Sequence, residues 1–133
     1  MQRWLGWVLT FVALVAVARA EDKEEYRTML ETAIPRAIKM LEAGQHADFL
    51  KAFVTPDEMK KITERVTFEE FAAKFGERKA AALLATLRHI EGKKPTHVER
   101  DGNLVTYELP EDLKAPGNRI KFVRIDNLWY IKN

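Results

Sequence analysis

The chain contains no cysteine. No disulfide braces it, no thiolate holds a metal, and no lipid can be carried on a cysteine after the leading apolar run. Histidine is nearly as scarce, with 3 residues. None of His46, His89 and His97 stands at the His-x-x-x-His spacing of a helical metal site. On these grounds no metal and no cofactor is expected. A Gly-rich phosphate loop, a Gly-x-Ser-x-Gly elbow and a calcium-loop carboxylate cluster are missing as well. The 6 glycines and 5 prolines are scattered, so there is no low-complexity tract, internal repeat or interdomain linker. What remains is one domain held together by its apolar core.

Long hydrophobic runs are missing too, with one exception. Trp4 to Val17 is an apolar run of 14 residues behind Arg3, and Ala18-Arg19-Ala20 is a small-x-small site ahead of Glu21-Asp22. That is the pattern of a cleaved export signal, and the run falls short of the roughly 20 residues of a membrane span. The sequence therefore predicts a signal peptide over 1–20 and a single domain over 21–133. It predicts a periplasmic or extracellular location and no stable membrane insertion once the signal is gone. Removing the first 20 of 133 residues leaves 113, enough for one domain. Arg3 and Arg19 leave with the signal and no acid does, so 22 basic residues become 20 against 20 acidic ones. A neutral domain lacks the basic footprint of a nucleic-acid binder, and no nucleic acid is expected as a partner.

From Glu24 the apolar residues recur at helical spacing. Tyr26, Met29, Leu30, Ala33, Ala37, Met40 and Leu41 share a stripe widened by Ile34 and Ile38. This predicts a helix over 24–43 that kinks at Pro35 and stops at Gly44. Gln45 to Phe53 follows as a short helix with Phe49, Leu50 and Phe53 inward. Thr55-Pro56-Asp57-Glu58 and Thr67-Phe68-Glu69-Glu70 each place a capping threonine three residues before a glutamate. The first starts a helix carrying Met59 and Ile62. The second starts one with Phe68, Phe71, Ala72 and Phe75 inside, ending before Gly76. A longer helix over 77–91 buries Ala80, Leu83, Leu84, Leu87 and Ile90 and stops at Gly92.

Beyond Gly92 the pattern changes to strict alternation. Asp101-Gly102 and Asp126-Asn127 sit between strand-like runs, two hairpin signals. Two-residue loops would pair Val98 with Val105 and Thr96 with Tyr107 in the first hairpin. In the second they pair Ile125 with Leu128, Arg124 with Trp129, Val123 with Tyr130 and Phe122 with Ile131. Alternation then gives an inner face of Thr96, Val98, Val105, Tyr107, Leu109, Ile120, Phe122, Arg124, Trp129 and Ile131. The outer face of the last hairpin carries Val123, Ile125, Leu128 and Tyr130, rimmed by Lys121 and Lys132. That patch suits a homodimer, unless the 110–117 loop or the N-terminus covers it.

The order of elements predicts an α+β domain, with N-terminal helices packed on one face of a C-terminal antiparallel sheet. Two stretches resemble the NTF2-like (cystatin-like, cone-shaped) superfamily. LEAGQHADFLKAFVTPDEM, Leu41 to Met59, is similar to that family's Ala-Gly, short-helix, Phe and Thr/Ser-Pro-Glu passage. IKFVRIDNLWYIKN, Ile120 to Asn133, is similar to its closing hairpin with Trp-x-Ile. Asn127 departs from the family, which often places glycine there. The signal and the compact length point to the small exported members. The resemblance implies a cone whose open end holds a small molecule and a sheet whose outer face pairs in dimers. It does not imply an enzyme, since the superfamily hosts catalysts and binders alike.

Arg124 breaks the apolar pattern of the inner face. Either it stacks on Trp129 with its head in water, or it receives an anionic ligand at the mouth of the cone. With it, Trp129, Tyr107, Phe122 and His46 are the candidate ligand-binding residues. His46 shares a helical face with Phe49, Leu50 and Phe53 and has no evident carboxylate to orient it. The function predicted is that of an exported, non-enzymatic domain binding a small molecule or a partner protein. The alternative is a small cofactor-independent hydrolase or isomerase using His46 or a cavity carboxylate. A His–Asp or Tyr–Asp pair in the cavity would favour the enzyme.

Overall fold

The computed structural model describes residues 24–113 and 118–132. The predicted signal peptide and residues 114–117 of the expected 110–117 loop lie outside the described residues. Five α-helices come first: α1 (Leu30–Glu42), α2 (His46–Phe53), α3 (Pro56–Thr63), α4 (Phe68–Arg78) and α5 (Ala80–Ile90). Their ends follow local chemistry. The hydroxyls of Thr55 and Thr67 accept from the backbone N–H groups of Glu58, at 3.3 Å, and Glu70, at 3.2 Å, covering donors that the first helical turn leaves open. At the end of α1, Gly44 takes φ +73° and donates to the Leu41 carbonyl while Gln45 donates to that of Met40. This is a Schellman closure, and it needs the left-handed residue that glycine supplies. Pro35 does not interrupt α1.

Two helix boundaries differ from expectation. The predicted 24–43 helix breaks at Met29, which is extended and 53 % exposed instead of inward. A 3-10 turn over Tyr26–Thr28 precedes it. The break lets consecutive residues both pack against the body: Tyr26 tilts against Phe53, centroids 6.3 Å apart, and Arg27 lies over the Tyr130 ring at 4.7 Å. Gly76, expected as a stop, lies inside α4, and the junction with α5 falls at Lys79. Its role is packing, and the residue it accommodates is His46.

The four antiparallel strands β1 (His97–Glu99), β2 (Leu104–Glu108), β3 (Arg119–Ile125) and β4 (Leu128–Lys132) lie in sequence order. The last hairpin has the predicted register, Ile125 opposite Leu128 through Phe122 opposite Ile131. Asp126 and Asn127 both take positive φ, +50° and +67°, the turn that matches the natural strand twist. The first hairpin keeps Val98 opposite Val105, but its ladder ends at the Glu99–Leu104 pair. Its loop is therefore Arg100 to Asn103, longer than the two residues expected. Asn103 is drawn towards β3, where its carbonyl accepts the Arg124 N–H at 2.8 Å.

The sheet's inner residues Val105, Tyr107, Leu109, Ile120, Phe122 and Trp129 are buried in one cluster with Ala33, Ile34, Ala37, Ile38 and Leu41 of α1, Phe49, Leu50 and Phe53 of α2, and Leu87 and Ile90 of α5. The chain is thus an α+β domain of the predicted kind. Strand β1 extends past this cover, so Val98 is 60 % exposed and Thr96 is exposed as well, not inward as the alternation suggested. On the outer face Val123, Leu128 and Tyr130 are half-buried and Ile125 is exposed. At the edge of β4, Val54 forms a parallel bridge with Ile131. No described helix is long and apolar enough to cross a membrane.

Candidate functional site

Where the N-terminal turn and the α2–α3 link meet β4, the chain leaves a cleft of about 330 Å³. Local structure sets each wall. After α2 the chain goes extended at Val54 to pair with Ile131, and Pro56 then opens α3, whose Met59 and Thr63 face the cleft. Phe68, the first residue of α4, closes the far side, with Lys51 beside it and its ammonium 5.3 Å over the Phe68 ring. Tyr130 enters from β4 and Arg27 from the N-terminal turn. The walls are mostly apolar, and neither carboxylate nor imidazole is among the lining residues. The hydroxyl of Thr63 is already donated to the Met59 carbonyl at 2.9 Å.

Arg27 is the exceptional group. It is only 8 % exposed, and its Nε and Nη2 are buried without a hydrogen-bond partner, the only side-chain polar atoms in that state among the described residues. Leaving a buried donor unmade costs about 1–3 kcal/mol, more when the group is charged. Its Cζ lies over the Tyr130 ring, 4.7 Å from the centroid, and this cation–π contact offsets part of the cost. The charge also reaches the neighbouring phenol. Burial raises the pKa of Tyr26, while the positive charges of Arg27 and Arg36 oppose the rise. Arg36 lies 5.1 Å over the Tyr26 ring. The cleft is thus positive and apolar, and it is suited to holding an anion. It lacks the acid–base pair that proton-transfer chemistry needs.

The five candidates from the sequence are not gathered at this cleft. Arg124 stacks on Trp129, 5.4 Å from its ring, and donates from Nε to the Asn103 side-chain oxygen at 2.8 Å. Tyr107 and Phe122 meet edge-to-face at 5.8 Å within the buried core. His46 lies edge-on to Phe75 at 5.9 Å, against the bare backbone of Gly76. His97 reaches Glu108 at 3.4 Å on the exposed face of the sheet. Sequence reasoning missed Arg27 because no local pattern marks it. It stands one position past the apolar stripe, and only the folded chain brings it to Tyr130.

A second concavity of about 250 Å³ lies among Glu58, Lys61, Ile62, Arg65 and Val66 on the surface of α3 and the turn after it. It holds no buried charge. Among the described residues no three His, Cys, Asp or Glu side chains cluster as a metal site. Compared with known proteins, the chain matches no family model, no curated protein and no solved structure.

Proposed function

We propose that the chain is an exported, non-catalytic domain of the NTF2-like kind that takes a small molecule into the cleft between its N-terminal turn, α2 to α4 and β4. The observation that carries this reading is Arg27, a buried charge with two unmade hydrogen bonds beside an apolar cleft. Such a group is costly in the empty protein and is satisfied once a ligand supplies acceptors. The helix-first order and the closing hairpin agree with the NTF2-like resemblance. Binding is favoured over hydrolysis or isomerisation because the cleft lining offers no general base. The imidazole of His46, against Phe75 and Gly76, has no hydrogen-bonded carboxylate among the described residues.

An NMR titration of the mature chain with octanoate, octylamine and octanol tests the site. At least one of the three is expected to shift the amides of Val54, Phe68 and Tyr130. Shifts confined to other regions would rule the cleft out. Export rests on the Met1–Ala20 segment, and a secreted product whose mass begins at Glu21 is the expected result.

A second reading concerns the outer face of the last hairpin. Ile125 is 37 % exposed beside half-buried Val123 and Leu128, and two copies joined through these three residues would cover it, Tyr130 of the expected patch lying under Arg27. Sedimentation should then show a wild-type dimer, and Val123→Glu with Leu128→Lys should give a folded monomer. A wild type that stays monomeric at high concentration removes this reading.

A further inference from the structure

We infer that the ligand of the cleft is a carboxylate with a short apolar tail, gripped side-on by Arg27. The inference rests on the binding role proposed above and specifies its ligand class. The two unpartnered atoms, Nε and Nη2, share one edge of the planar guanidinium, on the side away from Cδ. Their N–H bonds run parallel, the geometry that meets both oxygens of a single carboxylate, or two oxygens of a phosphate. Tyr130 lies against the Cζ of the group, and the two unpartnered N–H groups are what a ligand can use.

Two observations favour the carboxylate. The fork is one uncompensated positive charge, matched by one negative charge. A phosphate's third oxygen would have to turn to Lys51 alone, since the Thr63 hydroxyl is donated to Met59 and no second fork is among the lining residues. Val54, Met59 and Phe68 supply an apolar wall for the tail. At about 330 Å³ the cleft is near the small end of ligand sites, which suits a short chain. In the empty protein both nitrogens are shut off from water. The carboxylate therefore reaches them only once the side chains that cover them move aside.

The test titrates the isotope-labelled mature chain with octanoate, octyl phosphate and octanol, in wild type, Arg27→Gln and Arg27→Lys. Octanoate is expected to shift the Val54, Phe68 and Tyr130 amides and to bind about tenfold or more tighter than octanol, as a charge-assisted bidentate pair allows. Both variants should lose about tenfold of octanoate affinity and leave octanol unchanged, since lysine keeps the charge but not the fork. Equal binding of octanol and octanoate in the cleft would overturn the ligand class and leave the binding role standing. Tighter binding of octyl phosphate would overturn it in favour of a dianion. If none of the three moves those amides, the binding role itself fails. Should a variant not fold, the ranking of the three ligands on the wild type still decides.

Discussion

The imidazole of His46 stands where a side chain on Gly76 would go. A Cβ placed on Gly76 falls 2.6 Å from Nδ1 and 2.9 Å from Cε1 of that ring. The ring in turn is packed edge-on to Phe75, so swinging away would break that contact. Here α2 and α4 approach as closely as a bare backbone allows, and a residue that weakens an isolated helix by about 1 kcal/mol relative to alanine is the one that fits.

Gly76→Ala should therefore lower stability by about 1–3 kcal/mol, the usual cost of overpacking. In a His46→Ala background the same change should raise stability by up to about 1 kcal/mol, as helix propensity alone dictates. Urea denaturation of the four chains reads this change of sign as a coupling energy. An effect of the same sign in both backgrounds would refute the contact.

Arg27→Met should stabilise the ligand-free protein. The substitution keeps an apolar stem over Tyr130 and removes a charged group with two unmade hydrogen bonds. A gain of about 1–3 kcal/mol is expected, visible as a rise of several degrees in the thermal midpoint. A clear loss of stability would mean that the guanidinium is satisfied in solution.

Trp129 is 5 % exposed in the core and carries Arg124 on its ring. Trp129→Ala is expected to cost about 3–5 kcal/mol, as loss of a large buried aromatic does. Arg124→Ala should cost far less, about 1 kcal/mol, because a half-exposed cation–π contact is weak. An unchanged midpoint for Trp129→Ala would contradict the strand register.

Alkaline pH should unfold the protein progressively. Burial raises the pKa values of Tyr26 and Tyr107, with Glu31 adding to the rise at Tyr107. The folded chain then keeps a phenol proton that the unfolded chain has released. Stability is fully present below the ordinary tyrosine value of about 10 and falls as pH climbs from there towards the raised native values. Urea midpoints between about pH 8 and 11 should show this fall, and Tyr107→Phe should make it shallower. An identical slope in the variant would assign the fall to other groups.

The features legible in the sequence were those set within a few residues. The Thr55 and Thr67 caps, the Gly44 closure and the Asp126-Asn127 turn each depend on local backbone chemistry, and each formed where its signal lay. Alternation then gave the pairing of β3 with β4 as far as Phe122 and Ile131. Gly76 was misread because a helical glycine has two meanings, a stop or a space for a neighbour, and the neighbour lies on another helix. Val98 was expected inward and is exposed: it shares the phase of Val105, but nothing in its own strand says that the helices fail to reach β1. Arg124 drew attention as a charge out of pattern, yet it has a partner in Asn103. Among the described residues the buried side chain with unmade hydrogen bonds is Arg27, and that is a property of the whole fold.

Three contacts tie early parts of the chain to its final strand: Arg27 on Tyr130, Val54 beside Ile131, and Trp129 within the helical core. A polypeptide emerging from a ribosome N-terminus first offers the turn, the link and the helices before β4. The capped helices can flicker into shape as they appear, but the wall they pack on arrives at the end. Closure then waits on contacts of long sequence separation, the slow kind. The last strand thus sets the moment at which the helices gain the wall that closes their core.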